Sequence, residues 1–211
     1  MKSITSKAVI ALLVIGASAA AVWWQRGDRP RLPPAELESV ILNEPRPLEP
    51  FTLADHDGNA LTPEQLKGHW TLLFFGYTHC PDICPTTLAV LKGVAQKLES
   101  DPELAASTRT LFVSLGIDRD TQEQLKRYIT YFNPAFVAAT GSRSEIDNLT
   151  TQVGAVYMFE GDTSRDDYIV NHSATILLID PQGRFYARFN APHTASGIAD
   201  TYRRVRAFHD H

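Results

Sequence analysis

The sequence predicts an α/β domain, and three patterns of residues indicate this class. Strand-like and helix-like segments alternate along the middle of the chain, which is typical of sheets with some parallel pairing. The run Thr71–Phe75 is continuous and apolar and is followed by Gly76, as expected of a buried strand. Apolar residues then recur at helical spacing, at Leu88, Leu91, Val94, Ala95 and Leu98.

The elements on either side of this core extend the alternation. A hairpin is expected first, with Phe51–Ala54 and Ala60–Thr62 around a turn, and Thr62 and Pro63 then begin a short helix. The next predicted elements are strand Thr110–Leu115, helix Gln122–Phe132, strand Ala135–Ala139 and helix Arg143–Val153. Expected caps are Thr121 or Asp120 for the first of these helices and Ser142 or Ser144 for the second.

Two hairpins and a helix are predicted for the last part of the chain. The predicted strands are Val156–Phe159, Tyr168–Val170, Ala174–Ile179 and Arg184–Phe189, and Thr194 is expected to cap a final helix that ends near Ala207. A strand–helix–strand unit followed by a hairpin and a helix is the order of the thioredoxin fold. We therefore expect residues 50–211 to form a thioredoxin-like, or peroxiredoxin-like, domain.

Residues 1–25 are predicted to be a membrane anchor or a signal segment. The uncharged run Ala8–Trp24 has 17 residues, the short end of the range for a membrane-spanning helix. Small residues at 17–21 offer signal-peptide cleavage sites, but Trp23 and Trp24 extend the apolar run beyond them. We expect a single uncleaved anchor and an extended linker over residues 26–49, which contain five prolines. The domain would then lie on the exported side, in a bacterial periplasm.

The charge of the chain argues against nucleic acid as a partner. The formal net charge is −4 at pH 7, and no basic stripe stands out in the sequence. Seven histidines, by contrast, offer metal ligands and groups that titrate near neutral pH.

Cys80 and Cys84 are the only cysteines, and they lie between the apolar strand and a helix. Pro85 suits the first turn of that helix, whose amides and dipole favour thiolates. At positions i and i+4, two thiolates share one face and either form a disulfide or bind one soft metal ion. The alternative is a structural disulfide or a buried thiol pair. We disfavour it because neither thiol joins distant segments.

The segment Phe75–Pro85, with the sequence FGYTHCPDICP, closely resembles the signature of the Sco/SenC proteins. These are membrane-tethered, thioredoxin-like copper proteins that help to assemble the dinuclear copper centre of cytochrome c oxidase. The resemblance extends from about residue 50 to residue 207 and includes Tyr168–Ser173, where the family carries a metal-binding histidine. It implies Cys80, Cys84 and His172 as the copper ligands. Two thiolates and one imidazole suit Cu(I), and imidazole also suits Cu(II).

Two positions depart from the family pattern. Asn171 replaces the aspartate that usually precedes the histidine, and it would change the tautomer or basicity of the imidazole if it contacted that ring. Gly116–Ile117 replace an Asp-Pro pair, although Arg119–Thr121 match. Asp118 is a candidate to substitute for the missing aspartate from a shifted position. The alternative is that Asp118–Asp120 only form a solvated cap of the next helix.

Several other residues are considered and set aside as ligands. In one interpretation, His79 is an extra ligand or a proton shuttle. Side chains alternate between the two faces of an extended segment, so we expect His79 to point away from the thiols and to be exposed. Asp82 is expected either to tune thiolate basicity or to bind turn amides. Met158 is expected in the core, and solvated loop or tail positions are expected for His193, His209 and His211.

The resemblance implies a copper metallochaperone that delivers its metal to the copper-receiving subunit of cytochrome c oxidase. Another copper chaperone or a thiol reductant is a further expected partner. The alternative function is a thiol–disulfide oxidoreductase with Cys80 and Cys84 as the catalytic pair, reducing the cysteines of the same centre or of another exported protein. We disfavour a peroxidase of the peroxiredoxin type because two cysteines share this loop, and a purely structural role ranks last.

Overall fold

The structure is a computed structural model that describes residues 32–163, 165 and 168–210. The predicted anchor, residues 1–25, lies outside the described residues. Within the described part of the chain, no helix is long and apolar enough to cross a membrane. Residues from Pro34 onward form one compact unit.

Ten strands in the described residues form a large sheet and a small one. The strands are β1 (Ile41–Pro47), β2 (Leu53–Asp55), β3 (Ala60–Leu61), β4 (Trp70–Gly76), β5 (Thr108–Ser114), β6 (Val137–Thr140), β7 (Tyr157–Glu160), β8 (Ile169–His172), β9 (Ile176–Ile179) and β10 (Arg184–Phe189). The large sheet has the order β1-β10-β9-β4-β5-β6-β2-β3, and the small sheet pairs β7 with β8. Strands β4, β5 and β6 run parallel, and the other pairs are antiparallel.

Six helices accompany these strands in the described residues. They are α1 (Pro63–Leu66), α2 (Ile83–Leu98), α3 (Pro102–Ser107), α4 (Gln122–Phe132), α5 (Arg143–Val153) and α6 (Ala195–His209). The central strand β4 is buried at all seven positions, so both of its faces are covered. Helices α2 and α6 contact each other, and α4 contacts β6. The unit β4-α2-β5, followed by the hairpin β9-β10 and by α6, has the predicted thioredoxin order.

The helix boundaries follow from the capping residues. Thr121 and Gln124 form a reciprocal capping box at the start of α4. Ser142 accepts a hydrogen bond from the Glu145 amide at the start of α5, and Thr194 does the same for the Gly197 amide of α6. Both predicted ranges for α4 and α5 are confirmed.

The prediction of an extended linker over residues 26–49 does not hold for its second half. Strand β1 pairs with β10, and a turn before it buries Leu37 almost completely, with 1% of its surface exposed. Buried apolar side chains, at Leu37, Ile41, Leu42 and Leu48, attach this segment to the core. Its prolines are compatible with a strand because β1 lies at the edge of the sheet and its register shifts between Ile41 and Arg46.

Three predictions for individual side chains are wrong. Met158 is 66% exposed because it lies on the outer face of the β7–β8 sheet. His209 packs edge-on against Trp70, with ring centroids 4.8 Å apart. His193 is half-buried and donates from Nε2 to the Ala174 carbonyl over 2.6 Å. His211 lies outside the described residues.

Candidate metal centre

The end of strand β4 leaves space for one of the two thiols. A Cβ atom at Gly76 would lie 2.8 Å from the Cys84 Sγ atom and 2.7 Å from a ring carbon of Phe112. Both distances are too short for a real contact. Glycine at this position therefore allows Cys84 to pack directly against the end of the central strand.

The thiol of Cys80 lies at the N-terminus of helix α2. The Asp82 side chain makes no capping hydrogen bond to the helix amides. The Cys84 amide instead donates to the Cys80 Sγ atom over 3.4 Å, and the Cys80 amide donates to the Tyr77 carbonyl over 3.3 Å. The sulfur thus accepts one of the otherwise unpaired amides of the first helical turn. Both cysteines are free thiols, with Cys84 fully buried and Cys80 9% exposed.

His172 is the last residue of β8, and its ring is oriented toward the thiols. Its Nδ1–H group donates to the Ser173 carbonyl over 3.0 Å, which leaves the Nε2 lone pair available for a metal. That Nε2 atom is 3.3 Å from the Cys84 Sγ atom. The rings of Phe74 and Tyr77 make T-shaped contacts with the imidazole, with centroid distances of 5.8 Å and 6.2 Å respectively.

The three candidate ligand atoms form one compact cluster. The Sγ atoms of Cys80 and Cys84 and a ring nitrogen of His172 all lie within 4.8 Å of one another. Among the residues that the structure describes, this is the one group of three or more His, Cys, Asp or Glu side chains close enough to hold a metal ion. Two sulfurs and one imidazole nitrogen form a soft site of the kind that selects Cu(I) over hard cations.

The two thiols have different acidities. The interaction with Cys84, followed by the interaction with His172 and by hydrogen bonds from backbone amides, lowers the pKa of Cys80 to about 4 against the opposing effect of burial. The interaction with Cys80, together with burial, raises the pKa of Cys84 far above its usual range. The reduced pair therefore carries one proton, on Cys84, and Cys80 is a thiolate at neutral pH.

Three residues that the sequence associates with the site, Asn171, Asp118 and His79, do not join the cluster. Asn171 points away from the imidazole, and its Nδ2 group donates to the Glu160 carboxylate over 2.9 Å. The Ser173 carbonyl makes the contact with His172 that would determine its tautomer. Asp118 is exposed, and His79 is exposed as expected, with its Nδ1 atom 3.1 Å from the Thr78 hydroxyl.

Two other residues near the site were missed by sequence reasoning. Asp120 is not a solvated cap, because it is 3% exposed and accepts hydrogen bonds from Thr78. Arg119 lies over the rings of Tyr77 and Tyr168. The match of Arg119–Thr121 to the Sco/SenC pattern was the signal in the sequence that marked this loop.

The fold and the site together define a class of protein. A thioredoxin-like sheet with two thiols and one imidazole at its strand–helix junction is a thiol- and metal-binding domain of the thioredoxin fold. A family model described as SCO1/SenC matches residues 42–207. The chain belongs to the SCO1/SenC family, as its sequence motifs predicted.

Individual relatives agree with this assignment. A mitochondrial SCO2 homolog of Danio rerio is 35% identical over 215 residues, which cover 96% of this chain and 74% of the relative. The structure of Arabidopsis thaliana ScoI with copper bound is 32% identical with a TM-score of 0.69, covering 75% of this chain and 98% of that one. Bradyrhizobium japonicum ScoI with copper bound is 35% identical with a TM-score of 0.66, covering 75% and 99%. These neighbours confirm the thioredoxin-like fold and copper as the metal of similar Sco proteins.

Proposed function

We propose that the protein is a copper metallochaperone that binds Cu(I) through Cys80, Cys84 and His172. We further propose that it delivers copper to the dinuclear centre of cytochrome c oxidase, with the copper-receiving subunit as its partner. The observation that carries the proposal is the compact cluster of two thiol sulfurs and one imidazole nitrogen. Cu(II) is a second oxidation state of copper that a site with an imidazole ligand can bind.

The protonation of the pair determines what happens when copper binds. Cys80 is already a thiolate, and the Nε2 atom of His172 is unprotonated when Nδ1–H donates to Ser173. Binding of Cu(I) then displaces one proton, from Cys84. The apparent affinity should therefore fall about tenfold for each pH unit of acidification around neutral pH.

Delivery requires that a partner ligand reach the metal. Cys80 keeps 9% of its surface exposed, whereas Cys84 is fully buried and packs against the end of β4. We expect the incoming ligand to approach from the Cys80 side and to replace the protein ligands one at a time. The N-terminal anchor, residues 1–25, and the linker after it would hold the domain at the membrane on the exported side, in a bacterial periplasm. A second copper chaperone would supply the metal.

The direct test is a competitive Cu(I) titration of the reduced full-length chain in detergent against a chromogenic chelator. We expect one tightly bound copper per chain, with the apparent dissociation constant rising as the pH falls. Lack of tight binding by the parent chain would refute the proposal.

A second function is favoured by the unequal acidity of the thiols. As a thiol–disulfide oxidoreductase, the Cys80 thiolate would attack a partner disulfide and displace one partner thiolate. Cys84 would then lose its proton and attack the Cys80 sulfur, which releases the second partner thiol and leaves a Cys80–Cys84 disulfide. A thiol reductant would restore the pair. Measuring the reduction of an oxidised partner by the copper-free chain separates this activity from copper delivery.

A further inference from the structure

The carboxylate of Asp120 ties the cysteine loop to the end of strand β5. Its Oδ2 atom accepts from the Thr78 amide over 2.9 Å, and its Oδ1 atom accepts from the Thr78 hydroxyl over 2.6 Å. The Ser114 hydroxyl donates to the same carboxylate over 2.5 Å. Thr78 precedes Cys80 by two residues. Hydrogen bonds to a buried carboxylate are among the stronger ones, so this contact restrains where Cys80 lies.

Gly116 provides the space in which the Asp120 carboxylate sits. A Cβ atom at this glycine would lie 2.6 to 2.9 Å from the carboxylate atoms of Asp120. The Gly116 amide also donates to the Ser114 hydroxyl over 3.0 Å, and its carbonyl accepts from the Asp120 amide over 2.8 Å. The departure from the Asp-Pro pattern at this position therefore belongs to the same local arrangement as the contact with Thr78.

Arg119 ties the histidine side of the site to the same loop. Its guanidinium carbon lies 3.8 Å from the centroid of the Tyr168 ring and 5.1 Å from that of Tyr77. Its NH1 group donates to the Tyr168 carbonyl over 2.9 Å. Tyr168 is buried and directly precedes β8, the strand that ends in His172. A planar guanidinium makes stacking and hydrogen-bonding contacts together, which lysine does not reproduce.

We infer that Arg119 and Asp120 are positioning residues that hold the two halves of the copper site together. Asp120 fixes the loop that carries Cys80, and Arg119 fixes the strand that carries His172. The expected change in Cu(I) affinity rests on the proposed copper function. The restraint on the loop and the strand is a property of the copper-free chain and is measured without copper. Capping of α4 belongs to the next residue, Thr121, so neither residue is needed for that role.

The first test compares Thr78→Val with Thr78→Ser in the full-length chain. Valine keeps the side-chain size and removes the hydroxyl donor, whereas serine keeps the donor. In the reduced, copper-free protein, we expect amide hydrogen exchange at Cys80 and Cys84 to become about tenfold faster in Thr78→Val and to stay near the parent rate in Thr78→Ser. The Cu(I) dissociation constant should rise by about tenfold or more in Thr78→Val only.

The second test inserts a methyl group at Gly116 or at a matched glycine. Gly116→Ala should push the Asp120 carboxylate off Thr78 and reproduce the effects of Thr78→Val. Gly93→Ala is the control, because its Cβ atom would lie 2.8 Å from the Ala195 Cβ atom, between α2 and α6 and away from the Asp120 network. It should lower thermal stability through overpacking and leave exchange in the 78–80 loop at the parent rate.

The third test addresses the histidine side. Arg119→Lys should accelerate amide exchange at Val170 and His172, with little change at Cys80. Arg203→Lys is the control, since Arg203 bonds Asp200 and the Lys97 carbonyl on another part of the surface.

The inference would be overturned if amide exchange at Cys80, Cys84, Val170 and His172 matched the parent in all three variants, Thr78→Val, Gly116→Ala and Arg119→Lys. Because exchange is measured without copper, this result is separate from a failure of the parent chain to bind the metal. Faster exchange across the whole β4 strand would also overturn the inference, because it would indicate general destabilisation instead of a local restraint.

Discussion

The two halves of the proposed copper site come from regions of very different burial. The cysteine half follows β4, whose seven residues are all buried, and begins the long helix α2. The histidine half ends the two-stranded β7–β8 sheet, whose outer face leaves Met158 66% exposed and Ile169 50% exposed. A two-stranded sheet is marginal by itself, so its position depends on contacts with the rest of the domain.

This difference bears on the proposed copper delivery, in which the site must both hold the metal and release it. Segments with few buried contacts open more easily than core strands. We expect His172 to leave the metal first, while Cys80 and Cys84 retain it until a partner ligand arrives. Copper affinity would then depend mainly on the thiols, and the rate of release mainly on the hairpin.

The largest effect is expected from Cys84→Ser. It replaces a buried soft ligand by a hydroxyl that binds Cu(I) poorly, so Cu(I) affinity should fall by several orders of magnitude. The competitive chelator titration measures this change, and a thermal melt of the copper-free variant shows whether the fold is kept. A folded variant that still binds copper as the parent does would remove Cys84 from the ligand set.

A smaller loss of affinity is expected from His172→Ala, together with faster copper release. The two thiolates remain and hold Cu(I), but the third ligand and its aromatic packing are lost. Stopped-flow transfer to a chelator gives the release rate, and the titration gives the affinity. His69→Ala is the matched control, because its half-buried ring bonds to the Lys67 carbonyl and lies outside the metal-ligand cluster. Equal release rates for parent and His172→Ala would contradict the assigned order of ligand loss.

The next prediction concerns the acidity of the thiols in the copper-free chain. Because the pKa of Cys80 is lowered to about 4, its thiolate is present throughout neutral pH. Its alkylation rate should be nearly constant between about pH 5 and pH 8, whereas an ordinary cysteine reacts faster with rising pH up to about 8.5. Cys84, with its raised pKa, should stay unmodified.

Mass spectrometry after timed alkylation identifies the modified residue at each pH. Loss of the interaction with His172, which lowers the pKa of Cys80, should move the midpoint for Cys80 upward in His172→Ala. Equal labelling of both cysteines, with a common midpoint near 8.5, would rule out the unequal pair.

The smallest effect is expected from Asn171→Asp, which restores the residue common in the family. The Asn171 side chain points to Glu160 and not to the imidazole, so copper affinity should not change. A second carboxylate beside Glu160 should lower the free energy of unfolding by less than about 1 kcal/mol. Denaturant titration measures the stability. A clear gain in copper affinity would show that position 171 acts on His172 after all.

The elements governed by local sequence were predictable. Helices α4 and α5 begin and end where their apolar spacing and caps indicate, and the cysteine motif marks the strand–helix junction. The family resemblance was needed to choose His172 as the third member of the group with Cys80 and Cys84, because His172 lies 88 residues from Cys84 along the chain.

The predictions that did not hold depend on long-range packing. The apolar residues of the segment before β2 are interrupted by prolines, and only pairing with β10 turns part of it into strand β1. The segment around Met158 has the alternating pattern of a strand, but the sequence does not show that β7 lies outside the main sheet. The burial of Asp120 likewise depends on Thr78, 42 residues earlier.

The loop after β5 carries three consecutive residues that serve three separate elements. Arg119 contacts the start of β8, Asp120 contacts the cysteine loop, and Thr121 caps α4. Surface loops usually tolerate inserted or deleted residues. Here a change of one residue in length would move all three contacts out of register at once. Sequence divergence in this loop should therefore proceed by substitution, and a length variant should fold yet lose the alignment of the proposed metal ligands.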